Sequence, residues 1–313
     1  MTFCVELKGD YDMLPYITVF TSTYNRAYIL PQLYKSLCEQ SCKNFEWLVI
    51  DDGSNDNTEE LVAKWKSVDK GFQILYYRIP NGGKPRAINF GVTKANGKFF
   101  FMIDSDDHLT PNAIEKMAGW CREIEADPAF IGAGAARGYP DGKYIKGKAP
   151  CTNESGYVDA TNLERKKYDL DADMCEAYKT SVFRHFPMAQ WPGEKFAPEQ
   201  IALNEIALHG YKLRWHKDII YICEYLNDGL TKGWRSLIKN NPMGYAMMYN
   251  QMLKYPDLGF RDKYYAACQQ VALSIFGGHP GYIWKSNKIL YTILALPVGA
   301  VLSVRRKYQL REG

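Results

Sequence analysis

Histidine is scarce in this sequence, and its cysteines lack the spacing that metal sites use. The 313 residues include five dispersed histidines and eight cysteines with no C-x-x-C pair. This distribution speaks against a zinc site and favours free thiols in a reduced, cytosolic protein. The sequence also contains no H-E-x-x-H, no G-x-S-x-G, no G-x-x-x-x-G-K-[ST] phosphate loop, and no G-x-G-x-x-G after its first predicted strand. The usual signatures of zinc proteases, serine hydrolases, P-loop proteins and dinucleotide-binding proteins are therefore missing.

A large excess of charge of one sign is also missing. Lys and Arg number 39 against 35 Asp and Glu, and this net charge of +4 is too small to indicate nucleic-acid binding. With 46% apolar and 24% charged residues, the composition is that of a soluble globular protein and excludes a polytopic membrane protein. The basic excess lies at the C-terminus, where residues 284–313 hold six Lys or Arg and one acid, Glu312.

Short apolar runs alternate with amphipathic segments in the first half of the sequence. The runs predict strands at 17–21, 47–50, 72–77 and 98–103, and the segments predict helices at 27–40, 56–67, 85–95 and 112–125. Thr110 and Pro111 are predicted to cap and start the fourth helix. Because helices between strands require crossover connections, we expect an α/β fold with a doubly wound, mainly parallel sheet. Further strands are predicted at 173–183, 211–216 and 219–225.

A polar or glycine-rich cluster follows each of the first four predicted strands. In an open parallel sheet, ligands bind at the carboxyl ends of the strands, so these clusters should line one edge. The clusters are Thr21-Ser22-Thr23-Tyr24-Asn25-Arg26, Asp51-Asp52-Gly53-Ser54, Asn81-Gly82-Gly83-Lys84 and Asp104-Ser105-Asp106-Asp107.

The fourth cluster places three carboxylates, Asp104, Asp106 and Asp107, within four residues. Like charges about 4 Å apart repel by about 4 kcal/mol at an effective dielectric near 20, so such a group favours a bound cation. Oxygen-rich acidic clusters suit Mg²⁺ or Mn²⁺, which complete their shell with water and phosphate oxygens. The alternative is that these acids only precede the next helix, where negative charge suits the helix dipole.

The second and third clusters are each compatible with a ligand or with a plain turn. Asp52 can accept hydrogen bonds from a base edge or a ribose hydroxyl, or it can belong to an Asp-Gly turn. Residues 81–84 combine open backbone amides with the Lys84 cation, which suits a diphosphate, or form a flexible turn with a solvated lysine.

Taken in order and spacing, residues 16–125 resemble a family 2 glycosyltransferase of the GT-A fold, of the non-processive bacterial type. One departure is Ser22, where the family often has proline. The residues that carry the resemblance are Ile17–Arg26, Val49–Ser54 with Asp56 and Thr58, Gly83-Lys84 with Ala87 and Asn89, Asn96–Phe99 and Ile103–Asp107.

The resemblance implies a site for a nucleotide-diphosphate sugar, most simply a UDP-sugar. It implies that Thr23, Tyr24 and Asp52 line a nucleoside pocket and that Lys84 and Asn89 lie near the diphosphate. It further implies that the D-x-D acids hold donor and metal, with Asp104 at the donor and Asp106 and Asp107 as ligands of Mg²⁺ or Mn²⁺. Transfer with inversion at the anomeric carbon is the usual outcome in the family.

The catalytic base is a second departure from the family pattern, in which many relatives have Glu-Asp at the start of a later helix. Here the nearest match is Glu199-Gln200, opening a helix predicted at 200–209, and Glu199 is the remaining acid. Glu199 is therefore the candidate base. The alternative is a carboxylate that only complements the helix dipole after Pro198.

The predicted organisation has three parts: a nucleotide-sugar-binding half at 1–130, an acceptor-binding half at 131–240 and a C-terminal helical region at 241–313. The uncharged segment 289–304 has 16 residues, fewer than the roughly 20 needed to span a bilayer. Basic residues flank it, so 287–308 is predicted to be a helix at an anionic membrane interface; the alternative is a terminal helix packed on the domain.

These observations predict a metal-dependent glycosyltransferase of polysaccharide biosynthesis, cytoplasmic or peripheral on the cytoplasmic face of the membrane. Its acceptor would be a saccharide or a lipid-linked saccharide, and nucleic acid is not an expected partner. The alternatives are a sugar-1-phosphate nucleotidyltransferase, whose glycine-rich, arginine-containing first loop is missing here, and a catalytically silent carbohydrate-binding or scaffold protein at the membrane.

Overall fold

The computed structural model describes residues 14–223 and 234–309, which divide into two compact units. Among these residues the first unit comprises 14–81, 87–187 and 209–223, and the second comprises 82–86, 188–208 and 234–309. One of the boundaries between the units, at residues 86 and 87, falls within the helix Lys84–Lys94.

A nine-stranded sheet forms the centre of the first unit. Its spatial order is β3-β2-β1-β4-β8-β6-β9-β5, and β7 also pairs with β9. The strands are β1 (Ile17–Thr23), β2 (Phe45–Asp51), β3 (Gln73–Arg78), β4 (Phe99–Met102), β5 (His108–Leu109), β6 (Phe130–Gly138), β7 (Tyr157–Ala160), β8 (Met174–Lys179) and β9 (Lys212–Ile222).

The sheet has a parallel half and a mixed half. Strands β3, β2, β1 and β4 pair in parallel. Strand β8 then runs antiparallel to both β4 and β6, whereas β9 is parallel to β6. The predicted α/β fold is therefore confirmed, and the four strands predicted from the first half of the sequence are its parallel part.

Helices cover both faces of the parallel half of the sheet. As a result, every β1 and β2 residue except Ser22 is buried. On one face, Val19 packs in a core with side chains of helices α1 (Leu30–Cys38), α2 (Thr58–Lys66) and α4 (Ala113–Ile124). On the other face, Gly91 of α3 (Lys84–Lys94) lies so close to the Phe20 ring that a Cβ there would be 2.3 Å from it. The sheet is thus doubly wound.

The second unit is helical. Small and apolar side chains of its last helices, among them Leu253, Ala266, Val271 and Ala295, form a separate core. Its helices are α6 (Gln200–Leu208), α7 (Trp234–Asn240), α8 (Pro242–Met252), α9 (Phe260–Phe276) and α10 (Ile289–Gln309).

Several predicted boundaries were wrong, among them the following. Helix α4 begins at Ala113 rather than Pro111, because Thr110 is still tied to β9 through its backbone N–H to the Ile220 carbonyl (3.0 Å). The strand predicted at 173–183 ends at Lys179, and the short helix α5 (Thr180–Phe183) follows. The strands predicted at 211–216 and 219–225 are one strand, β9, whose pairing with β6 shifts register after His216; residues 224 and 225 lie outside the described residues.

Candidate active site

Hydrogen bonds join the loop after β1 to the loop after β2. The Asn25 backbone N–H donates to Ser54 Oγ (2.8 Å), and the Asn25 side-chain oxygen accepts from the Asn55 N–H (2.7 Å). Asn25 adopts a left-handed backbone conformation (φ 52°), which asparagine tolerates better than most residues. The two loops therefore form one connected rim.

The two neighbouring aspartates at the end of β2 have different roles. Asp51 is fully buried, and its carboxylate accepts from the Ser54 N–H (2.7 Å) and the Tyr76 hydroxyl (2.6 Å). Asp52 instead accepts from the Asn81 side-chain amide at its carboxylate (3.1 Å) and its backbone carbonyl (2.7 Å). Asp51 thus shapes the turn, and Asp52 is the carboxylate that the turn positions.

Gly53 allows this turn to pack closely. Its backbone is left-handed (φ +83°), and a Cβ there would lie 2.9 Å from the Asn81 backbone nitrogen. Any other residue would be strained and would push the loop after β3 away from Asp52.

Thr23 and Tyr24 complete this part of the rim. Thr23 is 3% exposed, and its hydroxyl has no hydrogen-bond partner within the part of the chain that the structure describes. The neighbouring Tyr24 is 46% exposed. A buried hydroxyl without a partner costs about 1–3 kcal/mol, so its presence next to an open aromatic ring suits a site that a ligand completes.

Two arginines neutralise the acidic loop after β4. Arg26, in the β1 loop, forms an ion pair with Asp106 (2.6 Å). Arg137, on β6, lies 3.2 Å from Asp104 and 3.8 Å from Asp107. The three carboxylates are therefore held close together by guanidinium groups on either side.

Asp107 is the least accessible of the three acids. Burial and the neighbouring Asp104 raise the pKa of Asp107 to about 7, with Arg137 opposing the shift. The Tyr221 hydroxyl accepts from the Asp104 backbone N–H (2.9 Å), and the Arg137 guanidinium lies 4.1 Å from the centre of the Tyr221 ring. Asp104 and Asp106, with side chains 30% and 20% exposed, are the accessible acids.

The sequence analysis assigned no role to Arg137 or Tyr221. Arg137 could have been identified, because it is the one charged side chain in the otherwise small and apolar strand Phe130–Gly138. A lone charge in such a strand requires an opposite charge nearby. Tyr221 carried no comparable signal.

The acids suit a metal that is bound mainly by the ligand. No group of three or more His, Cys, Asp or Glu among the described residues could hold a metal ion by itself. Mg²⁺ and Mn²⁺ sites that bind phosphorylated ligands use one or two carboxylates and take their remaining oxygens from the ligand and water. Asp104 and Asp106 meet that requirement.

In the second unit, the structure brings two predicted site residues together. The Lys84 ammonium lies 2.9 Å from the Glu199 carboxylate, with both side chains a little more than a quarter exposed. Lys84 is the first residue of α3, and Glu199 immediately precedes α6, where its carbonyl accepts from the N–H groups of Ala202 (3.0 Å) and Leu203 (3.2 Å). The ion pair holds the Glu199 side chain at the start of α6, and a carboxylate is one of the groups that can act as a general base.

Asn89 lies on α3. It lines a cavity of about 390 Å³ with side chains of α3 and of the segment after β8, including Arg184 and Phe186. Asn89 is the one predicted site residue among the described residues that line this cavity. Its assignment to the diphosphate stays a prediction.

Residues 18–186, more than half of the chain, match the family described as Glycosyl transferase family 2. The chain belongs to this family. The matched range contains the β1, β2 and β4 loops, so the predicted resemblance is confirmed.

Curated relatives support the assignment. The chain is 24% identical over 211 residues to the glycosyltransferase GlyG of Streptococcus pneumoniae, covering 66% of this chain and 69% of GlyG. It is 40% identical over 99 residues to an uncharacterized glycosyltransferase, RC0461, of Rickettsia conorii, covering 32% of this chain and 16% of that protein. It is also 28% identical over 120 residues to an uncharacterized glycosyltransferase, RT0329, of Rickettsia typhi, and this match covers 38% of this chain and 36% of RT0329.

Solved structures confirm the GT-A fold. S. aureus TarS 1–349 in complex with UDP-GlcNAc superposes with a TM-score of 0.59 at 17% identity, covering 95% of this chain and 90% of that one. The mannosyltransferase PcManGT from Pyrobaculum calidifontis in complex with GDP-Man and Mn²⁺ gives a TM-score of 0.54 at 17% identity, covering 95% and 76%.

Proposed function

We propose that this family 2 glycosyltransferase transfers a sugar from a nucleotide-diphosphate donor, a UDP-sugar, to a hydroxyl of a saccharide or lipid-linked saccharide, with inversion. It would act in the cytoplasm, in polysaccharide biosynthesis. The structural neighbours were crystallised with UDP-GlcNAc or GDP-Man, which supports a nucleotide sugar as the donor class.

One observation carries the proposal: the β1 loop is bonded to the β2 loop on one side and to the β4 loop on the other. Asn25 makes the first connection to Ser54 (2.8 Å), and Arg26 makes the second to Asp106 (2.6 Å). Strands β2, β1 and β4 are neighbours, so the ends of β2 and β4 are about 10 Å apart, two interstrand spacings. This separation suits a nucleoside at Asp52 with its diphosphate at the acids.

In this arrangement the nucleoside would contact Thr23, Tyr24 and Asp52. A divalent cation, when bound, would supply positive charge to the diphosphate as it leaves. Asp106 and Asp107, the predicted metal ligands, would hold that cation together with the accessible Asp104 at the donor. Lys84 would be a further cation for the diphosphate.

Glu199 would act as the general base. Direct displacement at the anomeric carbon requires that the attacking hydroxyl lose its proton as the new bond forms. The Glu199 carboxylate, held 2.9 Å from the Lys84 ammonium, would accept that proton. Asp173 and Glu176 are the next candidates if Glu199 is not the base.

The test measures sugar transfer and nucleotide release from a UDP-sugar with Mn²⁺. We expect Asp106→Asn to abolish metal-dependent transfer in a folded protein, whereas Asp141→Asn, at an exposed acid paired with Lys143, should leave it unchanged. Full transfer by Asp106→Asn would refute the metal assignment, and nucleotide release without a glycosylated product would refute transfer.

Glu199→Gln tests the base separately. General-base catalysis contributes about 10²–10⁴ in rate, so kcat should fall by that factor while donor affinity is kept. The exposed Glu154→Gln is the matched control and should behave as wild type. An unchanged kcat in Glu199→Gln would mean that the base lies elsewhere.

A further inference from the structure

Helix α10 carries an apolar face that no described residue covers. Its large side chains include Leu290, Leu294 and Val301, which are 74%, 59% and 68% exposed. They recur at spacings of four and seven, so they form one row along the helix. The same face includes Ile289, Ile293, Val298 and Val304.

The opposite face of α10 is packed against the protein. Thr292, Ala295, Gly299 and Ser303 are buried at spacings of three and four. A Cβ on Gly299 would lie 2.5 Å from the Val271 side chain, so α9 and α10 approach closely at this point. This contact fixes the orientation of α10 and points its apolar row outwards.

Both ends of the row carry cations and aromatic rings. Lys285 and Lys288 precede it and Arg305 and Lys307 follow it, all exposed. Trp284 (63% exposed) and Tyr308 (65% exposed) lie at the two ends. No acidic residue occurs between 285 and 309.

We propose that α10 lies in the plane of an anionic lipid bilayer, with its apolar row among the acyl chains and its flanking cations on the headgroups. Amphipathic interfacial helices combine these same features, and tryptophan and tyrosine favour the headgroup level. The inference concerns the place where the enzyme works and does not depend on the proposed donor or acceptor.

The positive charge around the apolar row of α10 favours an anionic lipid surface, rather than a second copy of the chain, as the partner that covers the row. Two copies meeting through this face would bring together eight exposed cations and no acid of the segment 285–309, whereas an anionic surface neutralises them.

The packing of α10 favours a helix that lies in the membrane plane over a helix that spans the membrane. By length and composition the 21-residue helix Ile289–Gln309 could cross a membrane. However, its buried face includes polar groups held by the protein: Arg306 donates to Gln269 of α9 (2.8 Å). A spanning α10 would have to carry these polar groups into the hydrocarbon.

The experiment is vesicle flotation of the full chain with phosphatidylcholine alone and with phosphatidylcholine containing phosphatidylglycerol. We expect wild-type protein to float with the anionic vesicles, to float at least tenfold less with neutral ones, and to be released by alkaline carbonate. Leu290→Gln combined with Leu294→Gln, and Arg305→Gln combined with Lys307→Gln, should each reduce flotation about tenfold or more.

Val68→Gln is the matched control, because Val68 is an exposed apolar residue (50%) outside α10. It should float as wild type, and so should Asp106→Asn, which separates membrane binding from catalysis. Thermal unfolding should show that the α10 variants and Val68→Gln fold, since their substituted residues are exposed, and the same measurement checks the fold of Asp106→Asn.

Three outcomes would overturn the proposal. The first is flotation that neither double variant changes. The second is resistance to carbonate, which would indicate a spanning helix. The third is a dimer in solution that the leucine variant dissociates, which would indicate that a second copy covers the row.

Discussion

At the scale of single residues, Thr23 buries a hydroxyl group in a way that should lower the free energy of unfolding. Its hydroxyl is buried without a hydrogen-bond partner among the described residues, beside the exposed Tyr24 and the positioned Asp52. A group in this state is explained if a bound ligand supplies the missing hydrogen bond.

Thr23→Val should therefore separate donor binding from stability. Removing an unpartnered hydroxyl should leave the free energy of unfolding unchanged or slightly higher, while donor affinity falls about tenfold, the value of one hydrogen bond. Urea unfolding and calorimetric titration with a UDP-sugar measure the two quantities. A loss of stability with unchanged affinity would contradict this expectation.

His216 is a second residue whose environment has a measurable consequence. It is 4% exposed and stacks on Trp120 at 4.0 Å. Burial lowers the pKa of His216 to about 4, with Asp218 opposing the shift and Arg214 adding to it. Because the unfolded chain binds the proton near pH 6.5 and the folded chain does not, stability should fall as the pH drops from 6.5 towards 4.

The variant His216→Phe removes this titration and keeps an aromatic ring on Trp120. Wild-type protein should lose about 2 kcal/mol more than the variant between pH 7.5 and pH 5, following from the lowered pKa. Urea unfolding at the two pH values gives the comparison. Equal losses would show that other groups cause the acid sensitivity.

At the scale of elements, the start of α3 depends on the close approach of two backbone segments. Gly83 is left-handed (φ +89°), and a Cβ there would lie 1.7 Å from the Lys195 carbonyl oxygen. The next residue, Lys84, pairs with Glu199, four residues beyond Lys195. Gly83 is thus the contact point that allows the ion pair to form.

Gly83→Ala should destabilise the protein far more than Gly193→Ala. Both glycines have nearly the same φ, +89° and +87°, but a Cβ at Gly193 meets nothing within 4 Å. The control should therefore show only backbone strain of about 1–2 kcal/mol, whereas Gly83→Ala adds a clash with backbone. Urea midpoints compare the two, and equal midpoints would remove the steric argument.

The strands show which parts of an element a sequence can predict. β1 and β4 were predicted because they are apolar runs bounded by polar residues. The end of β8 and the start of α4 were not, because they depend on distant partners: the Thr180 hydroxyl bonds the Gly97 carbonyl (2.6 Å), and the Thr110 N–H bonds Ile220. Such partners have no local signature.

At the scale of the whole molecule, donor binding should stabilise the native state, because a ligand that binds only the folded protein adds to its stability. At one hundred times its dissociation constant, a donor contributes about 2.7 kcal/mol. A panel of nucleotide sugars with Mn²⁺, followed by thermal unfolding, should give a rise in Tm for the true donor. Asp106→Asn should abolish the metal-dependent part of that rise, and a panel without any shift would count against the proposed function.

The sequence by itself determined the family, the parallel half of the sheet and the position of each polar loop at a strand end. These follow from local patterns of apolar residues and from motifs in a fixed order. The tertiary structure alone decided that Asp51 shapes the turn while Asp52 is bonded to Asn81 in the loop after β3, that Arg26 and Arg137 neutralise the acids, and that α10 points its apolar row outwards. The reason is that pairing and burial depend on residues far apart in the chain, which local patterns do not specify.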